Sequence, residues 1–157
     1  MEEEFTRLYA EVYKDLYKYA LYTLCNKEEA EDAVSEAIVD AYAQFAKLRD
    51  KNAFRGWMFK ILSAKCKRKL KGYLNKNVEL DEIIEITASN EGTGIEERVD
   101  LWDAFSRLDN RERQILNLSV VAGFEGKEIA GALNMNHNTV RTIRKRALDK
   151  LRVMLNY

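Results

Sequence analysis

The sequence predicts an all-α protein: two small helical domains, an N-terminal helical bundle and a C-terminal unit of four helices, joined by an acidic linker. Three observations predict it. Apolar residues recur at three- and four-residue steps along most of the chain. Among 157 residues there is no proline and there are only seven glycines, too few turn formers for a chain of short strands and tight turns. One stretch, Tyr73 to Thr93, loses the period and becomes polar and acidic.

The first helix is expected from about Phe5 to Leu24, where Phe5, Leu8, Val12, Leu16, Tyr19 and Ala20 form one apolar stripe. Asn26 with Glu29 three places on reads as a capping box opening the second helix. There Ala30, Ala33, Val34, Ala37, Ile38, Ala41 and Phe45 face inward, and Glu31, Asp32, Glu36 and Asp40 make the other side acidic. Lys47 to Ala53 reads as a loop, and a third helix follows from Phe54 to about Gly72. The segment after it is expected to be a linker, with a short helical turn around Leu80 to Ile86.

Thr93 with Glu96 reads as a second capping box, opening a helix through Val99, Leu101, Trp102, Phe105 and Leu108. Asp109 with Glu112 is a third, opening a helix through Ile115, Leu116, Leu118 and Val121 that Gly123 ends. Two further helices are expected near Gly126–Asn134 and His137–Leu155. The domains are thus expected at residues 1–73 and 95–157, with the linker at 74–94.

Composition excludes several function classes. No apolar run approaches the roughly 18–20 residues that cross a membrane, so no membrane insertion is expected. The start, "MEEEFTRLY", lacks a signal peptide's basic end and apolar stretch, which makes a cytoplasmic protein the simplest reading. Cys25 and Cys66 lie far apart, with a single histidine, His137, so no metal site is expected and both thiols are read as small apolar packers. There is no Gly-rich phosphate loop and no paired nucleophile and base, so neither a cofactor nor enzyme activity is expected.

The formal net charge of zero conceals segregation. Phe54 to Lys71 carries seven cations and no acid, Val78 to Gly94 five acids and no cation, and His137 to Tyr157 six cations and one acid. Two basic patches flanking an acidic stretch point to polyanionic partners.

The second basic patch has a recognisable geometry. Gly126–Leu133 and His137–Leu155 are joined by "NMN", where Asn134 suits the left-handed conformation of a sharp turn. Asn136 is expected to cap the second helix by accepting from the backbone N–H of Thr139, and Ala130 is small where the helices would cross. At about 100° per residue, Val140, Ile143, Ala147 and Leu151 fall on one side and Asn138, Arg141, Thr142 and Lys145 on the other. That is the pattern of a helix-turn-helix, whose second helix offers its first turns to the DNA major groove. Arg pairs bidentately with guanine and Asn with adenine. Arg146 and Lys150, further back, suit phosphates, and His137 at the tip suits the surface or a phosphate rather than catalysis. An ordinary amphipathic helix with a solvated basic face is the competing reading; the paired helix, turn and cap favour the helix-turn-helix.

The first basic patch, "FRGWMFKILSAKCKRKLK", mixes aromatics with cations. Phe54, Trp57 and Ile61 share a face, and Lys60, Lys67 and Lys71 another. Exposed aromatics beside cations suit single-stranded nucleic acid, although Trp57 and Phe59 taken alone read as core. The acidic face of the second helix is either solvated surface or a dock for a basic protein.

Together, "AEDAVSEAIVDAYAQF" followed by "FRGWMFKIL", and "LDNRERQILNLSVVAGFEGKEIAGALNMNHNTVRTIRKRALDKLR", resemble the second and fourth conserved regions of a bacterial sigma factor of the extracytoplasmic-function type. The resemblance spans nearly the whole chain and implies a promoter-selecting subunit of RNA polymerase. It implies that Asp32, Glu36 and Asp40 dock on core polymerase. It places Arg49, Lys51, Asn52, Lys60, Lys65, Lys67, Arg68 and Lys69 on the promoter region that melts. It places Asn138, Thr139, Arg141, Thr142, Lys145 and Arg146 on the upstream element as duplex, and runs the acidic linker along the polymerase's RNA path. An anti-sigma factor is a further implied partner. The sequence departs from the family at Ser63 and Ala64, where Arg-Asn is common, and at Arg68, where an acid is usual. Asp109 replaces a common proline, and Ile143 and Arg144 exchange the usual apolar and cationic positions. On the wheel Arg144 flanks the buried side, so its stem is expected to pack and its head to reach a phosphate. The alternative function is a helix-turn-helix regulator that never joins polymerase; the acidic helix and the basic aromatic helix favour the sigma factor, because a simple repressor needs neither.

Overall fold

The computed structural model describes residues 2–71 and 103–155. Among them are six α-helices and no strand: α1 (Glu2–Leu24), α2 (Lys27–Gln44), α3 (Phe54–Lys71), α4 (Asn110–Val120), α5 (Gly126–Leu133) and α6 (His137–Met154). Short 3-10 turns occupy Phe45–Lys47 and Lys51–Ala53, and residues 103–106 form a helical turn. The expected linker, its turn at Leu80 to Ile86 and the Thr93–Glu96 cap lie outside the described residues.

The N-terminal bundle forms as its apolar spacing dictates. Cys25 stops α1 in the left-handed region at φ 54°, its N–H donating to the Leu21 carbonyl at 2.9 Å. Asn26 then caps α2, its side chain accepting from the Glu29 N–H at 2.9 Å. Phe5 of α1 meets Phe45 and Phe54 edge to face with ring centroids 5.2 and 5.6 Å apart, closing the bundle end where the chain turns from α2 into α3. Ala30, Ala33, Ala37 and Ala41 give α2 a small-residue face that lets it lie close on its neighbours. Cys66 is fully buried and packs as expected; Cys25 is half-buried at the helix stop.

Aromatic exposure on α3 is not what single-strand stacking would need. Phe54 and Phe59 are buried and Trp57 is partly buried. Phe59 sits between the Tyr19 and Phe124 rings, both 5.8 Å away, so its ring is core.

In the C-terminal half, Asp109 and Glu112 close the expected capping box: each side chain accepts from the other's backbone N–H, at 2.8 and 3.0 Å. Gly123, at φ 74°, ends the turn after α4 in a backbone conformation that favours glycine.

The two halves pack against each other, with α4 lying on α1 and α5 on α3. Seven consecutive α4 residues, Glu112 to Leu118, are buried, so the helix is covered on more than its amphipathic face. The cross-contact is both apolar and polar: Phe59 meets Phe124 and Tyr22 meets Phe105, with ring centroids 5.8 and 5.6 Å apart. Arg113 is 4% exposed and donates from Nε to the Thr23 carbonyl at 2.7 Å. Gln114 donates to the Ser63 carbonyl at 3.0 Å, and Asn117 to the Thr23 hydroxyl at 3.1 Å. From α3, Arg55 reaches the carbonyls of Val121 and Ala122 past the end of α4, while its other amino group pairs with Asp15 at 3.0 Å. Ser63 has no exposed surface. The Ser63 hydroxyl and the Asn117 carbonyl oxygen are buried with no hydrogen-bond partner among the described residues. The buried apolar residues of both halves form one continuous core, so these hydrogen bonds add direction to a contact that apolar burial also holds.

Candidate nucleic-acid interface

The helix-turn-helix is built by its turn residues. The Glu125 N–H donates to the Glu128 carboxylate at 2.9 Å, fixing the start of α5. Asn134 takes φ 54°, ψ 52°, the left-handed conformation expected of it, and the Met135 N–H closes the turn on the Ala130 carbonyl at 2.9 Å. Asn136 caps α6, but its side chain accepts from Asn138, at 2.8 Å, one residue earlier than the spacing suggested. Gly126 lies under the His137 ring: a Cβ there would stand 2.7 Å from Nε2. His137 is thus half-buried between the two helix starts.

Val140, Ile143, Ala147 and Leu151 are buried; Asn138, Arg141, Thr142 and Lys145 are exposed on the opposite side of α6, and Thr139 and Arg146 are exposed at its flank. The Thr142 hydroxyl donates back to the Asn138 carbonyl at 3.0 Å, which leaves its oxygen as an acceptor toward solvent. Arg144 is half-buried at the flank. Packing α4 onto the N-terminal bundle leaves this face of α6 open.

Arg146 differs from its neighbours. Its Nε donates to Glu112 at 3.0 Å, and Lys150 donates to the same carboxylate at 2.9 Å. Burial alone would raise the Glu112 pKa. Hydrogen bonds from Lys150, the Asp109 backbone and Arg146 outweigh it and lower the value from 4.5 to about 2. Because the folded value lies below the unfolded one, this carboxylate stabilises the fold fully above pH 4.5 and loses that contribution as pH falls toward 2. Melting temperatures across that range should therefore fall more steeply for the wild-type chain than for Glu112→Gln, which has no carboxyl to protonate.

On the N-terminal half, Arg49 and Asn52 are exposed in the α2–α3 connection. Lys51 is committed to that connection: its Nζ donates to the Phe45 and Leu48 carbonyls at 3.2 and 2.8 Å and lies 3.9 Å from the Phe45 ring centroid. On α3, Lys60 and Arg68 are exposed and Lys67 is half-buried. Lys65 pairs with Asp40, and Lys69 stands 3.5 Å from Glu29 and 3.7 Å from Glu36. The acidic side of α2 and the basic side of α3, read separately in the sequence, therefore partly neutralise each other. Asp32 stays exposed on the outer side of α2. Missed in the sequence were Arg55, Arg113, Gln114 and Asn117, polar residues whose role is to join the halves.

An all-α chain with an exposed cationic recognition helix and a second helical bundle defines a DNA-binding protein of transcription. Comparison with known proteins makes the class specific. Residues 8–77 match the Sigma-70 region 2 family model and residues 98–151 the Sigma-70, region 4 model. The chain is 29% identical over 142 residues, 90% of its length and 85% of the relative's, to the RNA polymerase sigma factor SigV of Bacillus subtilis (strain 168). It is 20% identical to the ECF RNA polymerase sigma factor SigX of the same organism, over 97% of this chain and 84% of that one. Its fold is that of the sigma factor RpoE solved with the anti-sigma factor NepR from Bartonella quintana, at TM-score 0.78, 21% identity and 98% coverage of both chains. It is also that of CnrH solved with the cytosolic domain of CnrY, at TM-score 0.73, 21% identity and coverage of 99% of this chain and 90% of that one. The chain belongs to the sigma-70 family and is of the extracytoplasmic-function type, a promoter-recognition subunit of bacterial RNA polymerase. Nothing supports the alternative of a regulator that works apart from polymerase.

Proposed function

We propose that the two halves divide promoter recognition between them, with domains at residues 1–73 and 95–157 and a tether at 74–94. Asn138, Thr139, Arg141, Thr142 and Lys145 read the upstream element as duplex in the major groove, with Arg146 beside them. Arg49, Lys51 and Asn52, with Lys60, Lys65, Lys67, Arg68 and Lys69 of α3, hold the element that melts, Lys51 by shaping the connection. Asp32, Glu36 and Asp40 on α2 dock on core polymerase. The protein acts by binding alone, contributing no catalytic group, in the cytoplasm, and an anti-sigma factor restrains it. Supporting this last point, the sigma factor RpoE, of the same fold, was solved with the anti-sigma factor NepR. No helix among the described residues is long and apolar enough to cross a membrane.

The observation that carries this reading is the two-sided α6. Val140, Ile143, Ala147 and Leu151 are buried, and Asn138, Arg141, Thr142 and Lys145, the donors able to read base edges, are exposed on the far side. Arg141→Ala is expected to cost about 1–3 kcal/mol at one base position of the upstream element, measured with holoenzyme across a set of single-base promoter variants. A uniform loss across all sequences would make Arg141 a phosphate contact only.

A further inference from the structure

Glu112 is an acid without exposed side-chain surface in a half of the molecule whose sequence is basic. Its carboxylate accepts from the Asp109 backbone on its own helix, and from Arg146 Nε and Lys150 Nζ on α6. Arg146 and Lys150 are four residues apart, so both project from the same side of α6 toward α4. The other residues that seat α6, Val140, Ile143, Ala147 and Leu151, are apolar, and apolar burial is not directional. The charge-assisted bonds are directional. Rolling α6 by one residue, about 100°, would strip a buried carboxylate of its cations, which is strongly unfavourable.

We infer that Glu112 is a positioning residue of the DNA interface: it fixes the roll of α6 and withholds Arg146 and Lys150 from the charge this helix offers to phosphate. The inference rests on the reading that α6 faces duplex DNA. Its consequence is selectivity. Every cation given to phosphate adds affinity for any sequence, whereas base contacts discriminate. Engaging two of the six cations of residues 137–157 internally lowers the indiscriminate contribution and leaves Arg141 and Lys145 correctly aimed.

The test is a salt titration of the full-length chain on a short duplex of random sequence. Lys145→Gln should flatten the slope of log affinity against log salt by about 0.9, the value of one phosphate contact. Lys150→Gln, which leaves Arg146 on Glu112, should leave the slope unchanged. Glu112→Gln, with helical circular dichroism intact, should release both cations and steepen the slope by about 1 to 2. A Lys150→Gln slope as flat as that of Lys145→Gln overturns the inference, and so does a folded Glu112→Gln chain with the wild-type slope. Should Glu112→Gln not fold, the two lysine variants decide. If neither Lys145→Gln nor Arg141→Ala alters the slope, α6 is not on the duplex, and the DNA reading falls together with the role of Glu112.

Discussion

Asp32→Lys should weaken binding to core RNA polymerase by about tenfold to a hundredfold, about 1.4–2.8 kcal/mol, with helical content unchanged. Asp32 is exposed on α2, and the next two residues, Ala33 and Val34, are buried, so the helix keeps its seat when the outer charge changes. On the proposed docking face, reversal replaces an attraction with a like-charge repulsion, an effect read mainly in the dissociation rate when the contact is buried. Asp32 is a cleaner probe than its neighbours. Glu36 stands 3.7 Å from Lys69 and Asp40 pairs with Lys65, so reversing either also repels α3 and disturbs the bundle. A titration of labelled core enzyme measures the effect. Wild-type affinity in a folded Asp32→Lys chain would remove this side of α2 from the polymerase interface.

Arg113→Met should separate the two halves. The guanidinium is buried and spends its donors on the Thr23 carbonyl across the contact and on Leu108 and Asn110 within its own half. Methionine fills part of the space and leaves the Thr23 and Leu108 carbonyls without it, at about 1–3 kcal/mol for each orphaned buried group. That cost falls on a contact that the Phe59–Phe124 and Tyr22–Phe105 ring pairs also hold. A compact chain of this length has a radius of gyration of about 15 Å, and small-angle scattering should show the variant expanded well beyond that, with helical circular dichroism retained. Asn117→Ala, which loses only the bond to the Thr23 hydroxyl, should shift the same equilibrium less. If Arg113→Met scatters as the wild-type chain does, the packing of the two halves does not depend on this arginine.

Much of the fold was legible because each helix carries one apolar stripe and a readable start. Asn26, Asp109 and Asn136 all cap helices, and Asn134 makes its left-handed turn. The exposed side of α6 was legible for the same reason: cations and amides alternate there with a strict buried set. Periodicity could not reveal a second packing surface. Glu112, Arg113, Gln114 and Asn117 are types that normally face water, and nothing local to "RERQILN" marks them as buried. Their partners lie more than 30 residues away, beyond the reach of any pattern within one helix. Of the aromatic residues of α3, Phe59 is core, as expected of it taken alone, whereas Phe54 looks available beside the cations until α1 covers it. Pairing of α2 acids with α3 lysines likewise emerges only once the two helices lie side by side.

In-vitro transcription with core RNA polymerase on a library of genomic fragments measures promoter selection itself. Adding this chain should concentrate initiation on a small set of fragments that share an upstream duplex element and a melted element at fixed spacing. Initiation spread over the library just as it is with core enzyme alone would contradict the assignment of this protein as a promoter-recognition subunit.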